Sequence, residues 1–254
     1  MQIKEMMSLV DHLSELRTRI IRVLIVLVLT MIGGFFAAQK ILLYFKETPP
    51  ASSMSWHVFS PMDGIRIYMM IAFVISLTIT LPFILFQVWG FVKAGLTKEE
   101  QSATLRYIPY TFLCFMIGLS FAYFVVFPMC MTFTIRITEN LGLTQTYGVA
   151  QYFSFMLNIV LPLSIAFELP IVVMFLTRIK LLNPKLLHKF RRYAYLVLVI
   201  TASLISPPDL ISHLMVAVPL FALYEISVVL SRFIYNAQIR ENNKMNAEAT
   251  ATSY

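Results

Sequence analysis

Long apolar runs recur along the chain, separated by short stretches of charge, proline and glycine. About 20 apolar residues are needed to cross ~30 Å of hydrocarbon as a helix. Runs of that order fall at about 20–38, 67–92, 107–133, 153–177 and 210–230, with a shorter one at 193–206. Pro82 lies inside the second and Glu168 interrupts the fourth. The breaks carry turn chemistry: Pro49-Pro50, Gly95-Leu96-Thr97-Lys98, Asn140-Leu141-Gly142, Asn183-Pro184 and Ser206-Pro207-Pro208-Asp209. Strand alternation is absent and the runs far exceed the ~10 residues of a barrel strand. The pattern predicts an all-α polytopic membrane protein of six transmembrane helices. Residues 1–235 form one membrane domain, and 236–254 read as a polar, alanine-rich, disordered cytoplasmic tail.

The connections differ in construction. Those at roughly 44–66 and 134–152 are long and are expected to form short helices capping the outer face. The connection between the last two spans is filled by Pro207 and Pro208. The fifth run, about 14 residues, makes only ~21 Å of helix. A span that short thins the bilayer or is shielded by protein, which suits a protein acting on the membrane near its fifth and sixth spans.

A charged segment, His12-Leu13-Ser14-Glu15-Leu16-Arg17-Thr18-Arg19, precedes the first run. Leu9, Leu13, Leu16 and Ile20 repeat at helical spacing, while Asp11, Glu15 and Arg19 follow i, i+4 steps. This amphipathic helix is expected to lie at the water–lipid boundary and then bend into the bilayer. Two readings stay open: Glu15 and Arg19 form a weak solvated pair, or Glu15 is a carboxylate awaiting a cationic partner.

Composition fixes the class. Apolar residues make up 59% and charged residues 13% of 254 positions, and the mean hydropathy is +0.77; soluble domains carry about twice that charge fraction. Of the 20 Lys and Arg residues, all but Lys40, Lys46, Arg66 and Arg136 fall on one side of the predicted spans. By the positive-inside rule both termini are cytoplasmic. The net charge of +7 is therefore a topology signal, with lipid headgroups as partner and no nucleic acid. Cys114 and Cys130 stand in one run, about 24 Å apart along a helix, too far to bridge. The run before Phe36-Ala37-Ala38 is too long for a cleaved signal sequence, and acids precede it.

Few residues carry chemistry. Glu168 lies inside the fourth run between Pro162 and Pro170. An intramembrane acid faces a cavity or the bundle interior and marks function by default; the plainer alternative is a protonated, hydrogen-bonded side chain. Thr97-Lys98-Glu99-Glu100 is a capping box, and Asp209 reads as the N-cap of the sixth span. Glu225 stands two turns before Arg232, near the cytoplasmic interface. His12, His57, His188 and His213 are scattered. No phosphate-binding glycine loop, metal-ligand cluster or nucleophile–base spacing is visible, so no cofactor, metal or catalytic residue is predicted.

The motifs reach a family. His12-Leu13-Ser14-Glu15-Leu16-Arg17, Gln87-Val88-Trp89-Gly90-Phe91, 121–128 (Phe-Ala-Tyr-Phe-Val-Val-Phe-Pro), Phe167-Glu168-Leu169-Pro170 and Ser206-Pro207-Pro208-Asp209, in that order across six spans, resemble TatC, the polytopic subunit of the twin-arginine protein translocase. The resemblance covers roughly residues 8–235. It implies a concave, glove-shaped bundle in a prokaryotic plasma membrane. It also implies a non-enzymatic receptor and core subunit that binds twin-arginine signal peptides. With TatA-type, and where present TatB-type, single-span partners, such a subunit exports folded proteins on the proton-motive force and self-associates. Carried over by motif, Glu15 and Glu100 receive the signal's arginines, with Arg17 and Phe91 positioning that surface. Glu168, Ser206, Asp209 and His213 are intramembrane polar or partner-docking positions; His213 departs from the amide common there. The competing reading is a proton-coupled small-solute transporter using Glu168. It lacks a visible internal repeat and a second intramembrane acid or base nearby. An intramembrane enzyme ranks last.

Overall fold

The structure is a computed structural model that describes residues 2–48, 51–53, 56–92, 107–143, 146–206 and 209–252, with side chains from residue 13 onward except at 53, 107–108, 241–242 and 244–252. The elements are α1 (Gln2–Glu47), a 3-10 turn (Ala51–Ser53), β1 (Trp56–His57), α2 (Asp63–Val92), α3 (Tyr107–Phe121), a π segment (Ala122–Val126), α4 (Phe127–Asn140), β2 (Tyr147–Gly148), α5 (Val149–Ala166), α6 (Leu169–Arg178), α7 (Pro184–Ile205) and α8 (Leu210–Thr252). The predicted third span is α3 through α4, and the fourth is α5 with α6. Among the described residues, five helices are long and apolar enough to cross a membrane. The remaining span, α7, carries Lys185, Lys189, Arg191 and Arg192 in its first turns, in line with the short fifth run. The chain is a multi-pass α-helical membrane protein.

Three expectations are corrected. The N-terminal segment does not bend before the first span, because α1 runs unbroken from Gln2 to Glu47. No proline or glycine occurs before Gly33 to interrupt its hydrogen-bond ladder. The two long connections hold no capping α-helices among the described residues. They hold the 3-10 turn and a two-residue parallel pairing, Trp56 with Tyr147 and His57 with Gly148. Finally, α8 continues to Thr252 through the stretch read as a disordered tail; its Ala, Glu, Lys, Arg and Gln residues are strong helix formers. The prolines at 49–50 and 207–208 lie outside the described residues.

Local chemistry sets the helix ends. Gly142, at φ 69°, ends α4. Its amide donates to Glu139 O and that of Leu143 to Thr138 O, the paired bonds of a Schellman turn. Asn183 caps α7 by accepting from the Lys185 amide at 3.0 Å, with Pro184 following. In the third span the chain meets Pro128, which cannot donate to Phe124 O. There the ladder widens to i→i−5, Phe127 N–H donating to Ala122 O, a π-bulge.

The chain packs as two compact units, Met1–Thr97 with Thr134–Leu157 and Lys98–Phe133 with Asn158–Tyr254. In the first, α1 lies along α2. Lipid tails are as apolar as leucine, so close approach and hydrogen bonds must hold such pairs. Gly34 meets the Ala72 backbone, and Thr30 Oγ1 lies 2.7 Å from Ser76 Oγ and 2.9 Å from Thr80 Oγ1. The Ser76 hydroxyl also donates to Leu27 O at 2.7 Å. Trp56 stacks on Phe153 and meets Tyr152 edge-on, closing the loop end of this unit. In the second unit α6 and α7 pack on α8 around buried Ile171, Leu198, Val216, Leu220 and Val228. Thr177 and Ser231 pair their hydroxyls there at 2.8 Å.

A Cβ on Gly34 would stand 2.9 Å from Ala72 O, whereas one on Gly33 meets nothing within 4 Å. Gly34→Ala is therefore expected to destabilise the purified chain by about 1–3 kcal/mol, the usual cost of overpacking. Gly33→Ala is expected to be neutral or stabilising by up to about 1 kcal/mol. Thermal unfolding in detergent, measured on both variants, reads the contrast.

Candidate functional site

Glu15 and Arg19 stand one turn apart on α1 and form an ion pair, Nη2 to Oε1 at 2.5 Å and Nε to the same oxygen at 3.1 Å. The pair is part-buried and still open to solvent on the Glu15 side. Arg19 also reaches across to α2, where Nη1 donates to the Gln87 carbonyl at 3.4 Å and to its Oε1 at 3.3 Å. The guanidinium lies over Gly90, where a Cβ would collide with Nη1. Gly90 thus clears the seat, Gln87 supplies the acceptors, and Arg19 holds the Glu15 carboxylate by charge-assisted bonds, about twice as strong as neutral ones. Ser14, Glu15, Thr18, Arg19 and Arg22 line an open polar pocket of about 250 Å³.

The motif on α2 builds the neighbouring surface. Trp89 stacks on Phe86, with ring centroids 5.8 Å apart. Phe91 is half-buried one residue beyond Gly90, and Arg17 is exposed. Glu100 lies outside the described residues, as do Thr97, Lys98 and Glu99. Sequence reasoning missed that Arg19, Gln87 and Gly90 form one seat. The i, i+4 spacing flags Glu15 with Arg19, but the link to Gln87 spans 68 positions and leaves no periodic signal.

Glu168 occupies the break between α5 and α6. Its amide donates to Ile165 O rather than four residues back, and Pro170 removes the amide that would bond Ala166 O. Phe167 packs on Gly118 and Phe121 of α3. The carboxyl is buried at 8% exposure, and neither oxygen has a hydrogen-bond partner among the described residues. Ser206, at the end of α7, is likewise buried with an unpartnered hydroxyl. Asp209 does cap α8: Oδ2 accepts from the Ser212 amide at 2.6 Å. His213 is half-buried one turn into α8, its amide on Asp209 O at 3.1 Å. Glu225 pairs with Arg191 on α7 at 2.5 Å and accepts from the Tyr195 hydroxyl, a cross-helix partner that its spacing to Arg232 did not suggest.

These motifs match known proteins over nearly the whole chain. Residues 11–219 fit the family described as Sec-independent protein translocase protein (TatC). The chain belongs to the TatC family. It is 42% identical over 229 residues, 90% of each chain, to Sec-independent protein translocase protein TatCy of Bacillus subtilis (strain 168). It is 43% identical over 237 residues to TatC of Listeria innocua serovar 6a, covering 93% of this chain and 96% of that protein. A crystal structure described as the twin-arginine translocase receptor TatC superposes with a TM-score of 0.77 at 31% identity, covering 88% of this chain and 99% of that one. TatC proteins are translocase components. Membership of this family removes the support for the small-solute transporter reading.

Two outcomes are expected. Arg19→Ala removes the guanidinium's bonds and lowers stability by about 1–3 kcal/mol, the range of bonds to a charged group; a Cβ at residue 90 displaces only the flexible end of Arg19, so Gly90→Ala costs less. Their costs overlap: a double-mutant cycle by thermal unfolding should give a combined loss smaller than the sum. Glu168→Gln replaces a buried carboxyl that no described residue pairs and should leave the unfolding temperature unchanged or higher; a large drop would show that the carboxyl has a structural partner.

Proposed function

We propose that this chain is the receptor and core subunit of a twin-arginine translocase in a prokaryotic plasma membrane, with both termini cytoplasmic. It binds the paired arginines of signal peptides on folded cargo. With TatA-type, and where present TatB-type, single-span subunits it moves that cargo outward on the proton-motive force. The excess of Lys and Arg on one side of the spans supports the orientation, and family membership supports the role.

One observation carries the reading: Glu15 is held in a polar pocket by Arg19, itself seated on Gln87 and Gly90. A recognition carboxylate works best when a second shell fixes it. An arginine guanidinium meets a carboxylate in a two-pronged geometry that lysine lacks, so Glu15 with Glu100 would tell an arginine pair from a lysine pair. Arg17 and Phe91 position the same surface. Glu168, Ser206, Asp209 and His213 are docking positions for partner spans. The buried, unpartnered oxygens of Glu168 and Ser206 suit polar groups that another subunit completes.

Photocrosslinking of a twin-arginine signal peptide to the chain in native membranes tests this. The Arg-Arg peptide is expected to crosslink at least about tenfold better than a Lys-Lys peptide, since each charge-assisted bond contributes on the order of 1.5–3 kcal/mol. Glu15→Ala or Glu100→Ala should abolish the difference. Equal crosslinking of both peptides, or indifference to both substitutions, overturns the assignment.

A further inference from the structure

The helix α7 turns two different faces outward and inward. Pro184, Leu198, Ala202 and Ile205 are buried on one side, where Arg191 pairs with Glu225 at 2.5 Å. On the opposite side Leu186, Phe190, Tyr193, Val197, Ile200 and Leu204 are all exposed. At 100° per residue these six fall within an arc of about 80°. The stripe is about 27 Å long from Leu186 to Leu204, close to the ~30 Å of a hydrocarbon core. The apolar run 193–206 by itself is shorter. Leu186 and Phe190 make up the difference, and they do so at the level of the bases.

Lys185, Lys189 and Arg192 form an adjoining exposed edge at i, i+4 and i+7. The sequence of α7 holds no acid, and its fourth base, Arg191, is directed to Glu225 on the buried side. The Arg192 guanidinium lies 4.9 Å from the Tyr193 ring centroid, and its Nη2 donates to the Tyr193 hydroxyl at 3.2 Å. The cation is thereby held at the rim of the apolar stripe.

We propose that this face of α7 is a binding site for an anionic phospholipid. Its phosphodiester meets Lys189 and Arg192, with Lys185 completing the charge. Its acyl chains run inward from there along Tyr193, Val197 and Ile200. Three bases beside a continuous apolar stripe match a ligand that is anionic at one end and apolar along its length. A soluble anion would leave the stripe in water, and a zwitterionic lipid would leave the bases without a counter-charge. The bound lipid fixes where the leaflet surface meets the N-terminal end of α7.

A tryptophan reporter, Tyr193→Trp, in the full-length chain reconstituted into bilayers reads the site locally. Its emission is taken as the difference from the unsubstituted chain, because Trp56 and Trp89 are shared. Brominated phosphatidylglycerol is expected to outcompete brominated phosphatidylcholine as a quencher by about tenfold or more, each base near an anionic surface being worth roughly fivefold. Lys185→Gln, Lys189→Gln and Arg192→Gln together should bring the ratio close to one. The matched charge loss Lys40→Gln, Lys46→Gln and Arg136→Gln should leave it unchanged. Equal quenching by the two lipids, an equal fall in the control, or no quenching by either because protein covers the face, overturns the proposal.

Discussion

Hydrocarbon supplies no hydrogen-bond partner, so a polar atom inside a span must be satisfied by the chain or left at a cost. Most hydroxyls here follow the first course. Thr78, Ser164, Thr177 and Ser227 each donate to the carbonyl four residues earlier, the short-range bond open to Ser and Thr in a helix. Others satisfy themselves and join two helices at once. Thr30, Ser76 and Thr80 do so between α1 and α2, and Thr177 with Ser231 between α6 and α8. Where apolar burial gives little net force between helices in lipid, these contacts and the close approach at Gly34 decide which faces meet.

The same constraint isolates the exceptions. Glu168 and Ser206 keep buried oxygens without partners among the described residues, and both stand where the backbone ladder breaks: the turn between α5 and α6, and the end of α7. Proline interrupts the ladder at the first of these and again in the third span. Pro170 and Pro128 each withhold an amide, and the chain responds with a turn in one case and a π segment in the other. Irregular backbone in a membrane protein persists where it lies within protein or lines a polar space.

Charge is used differently at the ends of the helices. The Arg19 guanidinium joins Glu15 to α2, and Arg191 joins α7 to Glu225. Each link takes one cation out of the pool that faces lipid headgroups and uses it to align two helices. Arg17, two residues before Arg19, and Arg192, next to Arg191, remain exposed. Bases one or two residues apart point about 100° or 200° apart on a helix, so one serves a packing role and the other a surface role.

The amino-acid sequence by itself determined the class, the number of spans and most of their ends. Hydropathy is a property of short windows, and caps such as Asn183 and Asp209 act on amides two or three residues away; both are local, and both are legible in order along the chain. The family motifs were legible for the same reason. The continuity of α1 was legible in principle, since no residue before Gly33 interrupts it, but amphipathicity pointed the other way. Tertiary structure decided the partners: Arg19 with Gln87 and Gly90, Glu225 with Arg191 and Tyr195, Thr30 with Ser76 and Thr80. These pairs are joined across 30 to 71 positions. A contact between helices depends on their relative rotation and depth, which no periodicity within either helix encodes.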